Sequence, residues 1–391
     1  MKNRILAFFL TLSGAALGHA QDSQKPNIVI IISDDHAFQA ISAYGGKMVF
    51  TPGIDRIANE GAIFNKAYVT NSICGPSRAS LLTGKFSHKN GFKDNENSNF
   101  NFNQYTFKKN LQQAGYQTAW IGKMHLGLNT PQGFDYYNML PEQGAYYNPD
   151  FIETGNVRKR HEGYVTNIIT QISEQWLDKI NKTQPFCLII GHKATHRTWM
   201  PDLPDLGKFD SVTFPLPENF YDSYEGREAA EVQDMTIAKT MVMGYDLKVF
   251  ESEEQQMREG SIKRMTPQQK KIWDAYYTRR NEEFRSKNLT GKALAEWKFQ
   301  QYLRDYYSTA LSLDRSIGEI QDYLDQNGLS KNTIVIYLSD QGFYLGEHGW
   351  FDKRFMYEES FRTPLLMYLP GGKRGDIAEM VQNIDYAPTF L

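Results

Sequence analysis

The sequence predicts an α/β protein built on a doubly wound, mostly parallel sheet flanked by helices. Three observations lead there. Short runs of aliphatic residues recur along the chain without polar alternation, as strands buried on both faces require. Helical periodicity separates these runs, the alternation expected when helices cross between parallel strands. At 391 residues, 41% of them hydrophobic, the chain can bury the core such a sheet needs.

The first run, Asn27-Ile28-Val29-Ile30-Ile31-Ile32, has no side meant for water and reads as a central strand. Residues 118–121, 186–190, 333–338 and 365–369 repeat the pattern. Residues 55–60 and 105–114 read as short helices. Residues 302–324 set Leu303, Tyr306, Ala310, Leu313, Ile317, Ile320 and Leu324 on one helical face. Pro76 suits a first helical turn and Gly84 the position just past a helix end, so the intervening stretch reads as a short helix with Cys74 at its N-terminal mouth. Residues 202–300 are polar and partly helical near 266–285, which predicts an insertion at the periphery of the sheet.

The N-terminus carries Lys2 and Arg4, an apolar run over 5–17, and Gly18-His19-Ala20, the pattern of a cleaved signal peptide over 1–20. The run is too short to span a bilayer comfortably, so residues 21–391 are expected as one exported, periplasmic domain without stable membrane insertion. A net charge of −2 and the lack of a basic stripe give no reason to expect nucleic acid. Residues 385–391 look like a helix just starting, which predicts a chain truncated at its C-terminus.

Open α/β sheets bind ligands beyond the carboxyl ends of their strands. Four such ends carry chemistry here: Ser33-Asp34-Asp35-His36, Gly122-Lys123-Met124-His125, His192-Lys193-Ala194-Thr195-His196 and Ser339-Asp340-Gln341-Gly342. Asp34 and Asp35 alone could equally cap a helix or hold a cation. With Asp340 and Gln341 at a second strand end, three carboxylates and an amide oxygen favour a hard cation such as calcium or magnesium over zinc. The chain has two cysteines. Cys187 lies inside an apolar run and reads as a small core residue. Cys74 at a helix mouth could be an acidified thiol, with Arg78 one turn on to hold an oxyanion. A thiolate is nonetheless a poor partner for a hard cation, and an oxygen-based group would fit better.

Cys74-Gly75-Pro76-Ser77-Arg78, followed by Leu82-Thr83-Gly84, resembles the signature of type I sulfatases, in the alkaline phosphatase superfamily. Asn27 to Asp35, the 51–58 stretch Thr-Pro-Gly-Ile-Asp-Arg-Ile-Ala, Gly122 to Gly127 and Ser339 to Gly349 resemble further motifs of that family. The resemblance implies that a maturase converts Cys74 to formylglycine, whose hydrate attacks sulfur. It implies one calcium ion held by Asp34, Asp35, Cys74 in its modified form, Asp340 and Gln341. It implies Arg78, Lys123 and Lys353 against the oxyanion, His196 as proton donor to the departing sugar oxygen, and His125 as acceptor from the remaining hydroxyl. Gln341 stands where the family often has Asn, and Met124 where it has Trp. The motifs look most like bacterial glycan sulfatases acting on 6-O-sulfated N-acetylglucosamine, so a sulfated carbohydrate, of glycosaminoglycan or mucin type, is the expected substrate. The family's smaller C-terminal subdomain is expected to be missing. His192, Lys193 and His348 stay open between substrate contact and packing. Two rivals remain: a phosphomonoester or phosphodiester hydrolase of the same superfamily, and a non-catalytic glycan-binding relative.

Overall fold

Ten strands form one mixed sheet in the computed structural model, which describes residues 25–127 and 131–391. The expected signal peptide lies outside those residues. The strands are β1 (Asn27–Ser33), β2 (Ala62–Tyr68), β3 (Gln117–Lys123), β4 (Tyr136–Leu140), β5 (Asp150–Glu153), β6 (Val157–Arg160), β7 (Phe186–Gly191), β8 (Thr333–Ser339), β9 (Leu365–Tyr368) and β10 (Gly375–Gln382), in the order β10-β2-β9-β8-β1-β7-β3-β4-β5-β6. The stretch β8-β1-β7-β3-β4 is parallel throughout. β9 runs antiparallel to both its neighbours, and β5 and β6 extend the sheet antiparallel beyond β4.

β1 shows why its sequence has no polar side. Val29 and Ile31 enter one apolar layer, with residues of the Val165–Lys179 and Gly291–Gln326 helices. Ile28, Ile30 and Ile32 enter the other, with Trp120, Phe107 and the Ala79 and Leu82 side chains of the Cys74–Thr83 helix. Each such side chain contributes about 1.5–3 kcal/mol on burial. Cys187 sits in that second layer as a small apolar residue, as expected.

The predicted helices form with shifted bounds: Pro52–Glu60, Phe107–Gln113 and Pro267–Lys287, the last begun by a reciprocal Thr266–Gln269 cap. The Gly291–Gln326 helix runs 36 residues and starts well before 302, because Ala295 and Phe299 continue its buried face. The segment expected at the periphery builds an apolar core of its own. Phe209, Phe214, Phe220, Ile237, Met241 and Leu247 pack with Trp199, Tyr302 and Phe351, directly beside the strand ends. Among the described residues no helix is long and apolar enough to cross a membrane.

Candidate active site

The carboxyl ends of β1, β3, β7 and β8 converge on the N-terminal end of the Cys74–Thr83 helix. That helix ends where the sequence predicted. Gly84 is left-handed at φ 64°, and its N–H closes on the Ser80 carbonyl at 2.8 Å. Gly122 is required by close approach: a Cβ there would lie 2.1 Å from the Gly191 carbonyl oxygen. Removing it lets β3 and β7 deliver Lys123 and His192 at the same level.

Carboxylate oxygens of Asp34, Asp35 and Asp340 lie within 4.8 Å of one another, as do ligand atoms of Asp34, Cys74 and His196. The Asp34–Asp35 turn is held from behind. Tyr306 donates to the Asp35 carbonyl at 2.8 Å and accepts from Ala37 N–H at 2.9 Å. Thr195 Oγ1 also donates to that carbonyl, at 3.0 Å. These bonds fix Asp35 in a left-handed conformation, φ 60°, that few non-glycine residues adopt.

Each acid has a cation. Lys123 Nζ donates to Asp34, Lys353 Nζ to both Asp35 oxygens at 2.5 and 2.7 Å, and Arg78 Nε to Asp340 at 2.9 Å. Burial works against the charge on Asp34, yet Lys123, with His196, Arg78 and Lys353, holds it well below the usual carboxylate range. Burial raises Asp35 to about 6, helped by Asp34 and Asp352 and opposed by Lys353. Burial and the Asp34 charge raise Asp340 to about 7, against Arg78.

Three charge pairs still leave polar atoms unmet. Asp34 Oδ1 and Gln341 Oε1 are buried acceptors without a donor, and Arg78 Nη2 is a buried donor without an acceptor. The Gln341 amide turns its nitrogen to Asp35, which leaves its oxygen free. A hard cation satisfies the oxygens and an anion satisfies the guanidinium, so the residues present fit a metal and an oxyanion bound side by side.

The thiol of Cys74 is 1% exposed. Burial raises it to about 12, Lys353 and Lys123 notwithstanding. The expectation of an acidified thiol is therefore overturned, because loss of water outweighs the helix dipole and the cations. Residue 74 is well placed and, as a thiol, poorly activated.

Two histidines flank it. His196 Nδ1 lies 2.6 Å from the Arg197 carbonyl and so carries a hydrogen, which leaves Nε2 facing Asp35 at 4.0 Å. Burial and then Lys123 push its pKa well below 6.5. His125 is lowered to about 2 by burial and Lys123. Gln143, which sequence reading missed, orients it. An ammonium only donates, so the Gln143 oxygen takes Lys123 Nζ at 2.5 Å, and its NH2 faces His125 Nε2 at 3.1 Å. His125 therefore holds its own proton on Nδ1.

The three residues left open, His192, Lys193 and His348, sit in different surroundings. His192 is buried beneath the Gly291–Gln326 helix, 3.3 Å from Ser316 Oγ, and faces packing rather than the pocket. Lys193 donates to the Gln143 carbonyl at 3.1 Å and lies 4.7 Å over the Tyr146 ring, beside the site. His348 is paired with Asp222 at 2.6 Å amid Tyr344, Trp350 and Tyr357. His36 bonds the Tyr337 hydroxyl at 2.5 Å behind the acidic turn.

A model of the sulfatase family matches residues 26–391. An N-acetylglucosamine-6-O-sulfatase of Bacteroides thetaiotaomicron is 49% identical over 393 residues, covering 98% of this chain and 70% of that protein. The human N-acetylglucosamine-6-sulfatase is 27% identical, and the chain spans 64% of its length. The solved structure of BT4656 with its substrate D-glucosamine-2-N,6-O-disulfate superposes with a TM-score of 0.90 at 48% identity, over 94% of this chain and 76% of that one. A phosphonate monoester hydrolase of Agrobacterium radiobacter shares the fold, with a TM-score of 0.63 at 16% identity.

Proposed function

Since the chain belongs to the sulfatase family, we propose that it removes 6-O-sulfate from glucosamine-type sugars of sulfated glycans, with residue 74 as the point of attack. It is a sulfuric ester hydrolase, and sulfatases generally use calcium and a formylglycine made from the signature cysteine. The observation that carries the reading for this chain is the set of unmet groups on residues that gather around residue 74: buried oxygens of Asp34 and Gln341 without a donor and the buried Arg78 Nη2 without an acceptor.

Asp34, Asp35, Asp340 and Gln341 would hold the cation. Bound there, it supplies Lewis acidity toward the sulfate and toward an oxygen nucleophile on residue 74. The protein's own groups do the rest. Arg78, Lys123 and Lys353 set three fixed positive charges in a water-poor pocket, where they stabilise charge building on sulfate oxygens without reorganising. His196, protonated on Nε2, would donate to the departing sugar oxygen. Its low affinity for a proton in the free protein is offset by an anionic substrate, which adds negative charge beside it. His125, kept neutral, would accept the proton from residue 74 on Nε2, the nitrogen that Gln143 holds in the free protein and would have to release. Export to the periplasm and maturation by a formylglycine-generating enzyme belong to the same reading.

The test is turnover of 6-O-sulfated glucosamine and of nitrophenyl sulfate against nitrophenyl phosphate, with the peptide mass across residue 74 determined in parallel. Sulfate release with an aldehyde at 74 is expected. Dominant phosphate release, or full sulfatase activity from unmodified thiol, would overturn it.

A further inference from the structure

We infer that a cleft running from His125 over the 141–143 turn to Arg158 and Arg264 is a second sugar subsite, for an anionic residue next to the one being desulfated. This rests on the reading of the substrate as a sulfated glycan. Two cavities make up the cleft. One, of about 420 Å³, is lined by His125, Asn95, Ser98 and Gln143 over a floor of Met139 and Ile152. The other, of about 340 Å³, is lined by Arg158, Arg264, Asp150 and Glu259. They meet at Pro141, Glu142 and Gln143, which line both, and Gln143 is the residue that touches Lys123 and His125. Polar walls over an apolar floor suit a sugar ring, and each volume is of the size that small-molecule sites occupy, roughly 300–1,000 Å³.

The second cavity selects for charge. Three guanidinium groups converge on one carboxylate: Arg158, Arg160 and Arg264 reach Asp150 at 2.9, 2.8 and 3.0 Å. Arg160 spends only its Nε there, and Arg158 keeps Nη1 unused. Their side chains are 60% and 59% exposed. Of the remaining acids, Glu259 is committed to the Ser261 and Ile262 N–H groups at 2.8 Å each, and Glu142 is exposed to solvent on the turn. Basic residues often do no more than protect a sheet edge, as β6 is. Lys159, on the opposite face and 3.9 Å from Glu153, meets that need. Edge protection does not explain why Arg158 and Arg160 share one face, locked by Asp150 beside an arginine more than a hundred residues away. Asp150 pairs with Arg160 in register, beside the carboxyl end of β4, the edge from which the 141–143 turn departs. The locked forks present N–H donors to a sulfate or carboxylate at low ordering cost.

Turnover is compared on three substrates: 6-O-sulfated glucosamine alone, the same sugar linked to a neutral second sugar, and the same sugar linked to a second sugar bearing a carboxylate or sulfate. The wild-type protein is expected to favour the anionic disaccharide by about tenfold in kcat/KM, the value of one good charge-assisted contact. In R158A/R160A that preference vanishes, while turnover of the monosaccharide and the melting temperature hold. Equal turnover of all three substrates by the wild type, an equal gain on neutral and anionic disaccharides, or equal losses on all three in the variant would overturn the subsite. Failure to release sulfate from any of the three would instead refute the glycan sulfatase reading.

Discussion

Removing metal from the acidic cluster should make the cluster's own contribution to stability fall as pH rises, so that calcium stabilises the protein more at high pH than at low, the opposite of an ordinary carboxylate site. Asp35 is raised to about 6 and Asp340 to about 7 in the metal-free fold, from a usual value of 3.8. A carboxyl whose folded pKa is raised contributes its full stability below the unfolded value and loses it as pH climbs through the folded one. The window therefore runs from about pH 4 to pH 8. At 1.36 kcal/mol per unit, the shifts correspond to about 3 and about 4 kcal/mol. The two acids share one cluster and titrate as a pair, so a joint loss on the order of 5 kcal/mol is the working figure. Asp34, held low by its cations, acts only below this window.

Urea unfolding in excess chelator and in calcium, each at pH 5 and pH 8, reads this directly. The gain from calcium should be several kcal/mol larger at pH 8 than at pH 5, a difference in which the buried histidines, lowered in both states, cancel. Calorimetry in buffers of different ionisation enthalpy gives a second readout. At pH 6 about half of Asp35 and about nine-tenths of Asp340 are protonated, so calcium should expel roughly 1.4 protons, falling to about 0.1 at pH 8. Asp340→Asn should flatten the slope. An equal gain from calcium at both pH values, or calcium binding without proton release at pH 6, would refute the reasoning.

Cys74→Ala should drop nitrophenyl sulfate turnover to background, with the melting temperature within a few degrees of wild type, because it deletes only one buried sulfur at the end of a helix. Gln143→Ala should lower kcat about tenfold, with little change in KM for the monosaccharide, by releasing His125 from its fixed tautomer. Gln143→Glu, which cannot donate to His125 Nε2, should not restore the rate. Gly122→Ala would bring a Cβ within 2.1 Å of backbone on a neighbouring strand, at φ 93°, and should cost at least about 3 kcal/mol in urea unfolding.

What sequence reading could reach follows from what a local pattern encodes. The central strands were legible because burial on both faces leaves only aliphatic residues, and Asp34, Asp35, Lys123, His125, Asp340 and Gln341 because they end or closely follow such a strand; Cys74 and Arg78 were legible from helix signals, and Lys353 only through the family resemblance. β4 escaped, since Tyr-Tyr-Asn-Met-Leu carries no such run. With it went the 141–143 turn and Gln143. The 202–300 segment read as peripheral because its composition is polar. Its apolar residues are widely spaced and gather only in the folded chain, with each other and with the Gly291–Gln326 helix. Tyr306 was placed correctly on a buried helical face, yet nothing local says that its hydroxyl brackets the Asp35 turn.

The thiol is the most instructive failure. A helix mouth and neighbouring cations argue for an acidified cysteine, and both are present. Burial, aided by the Asp34 and Asp340 carboxylates, outweighs them, and no sequence pattern reports how dry a pocket will be. That outcome strengthens the functional reading. A cysteine hydrolase needs the thiolate that this pocket suppresses. An oxygen group at the same position can bind a hard cation and be activated by it, which sulfur does poorly. The pocket is therefore built against the residue the gene encodes there, as expected when that residue is a precursor of the group that reacts.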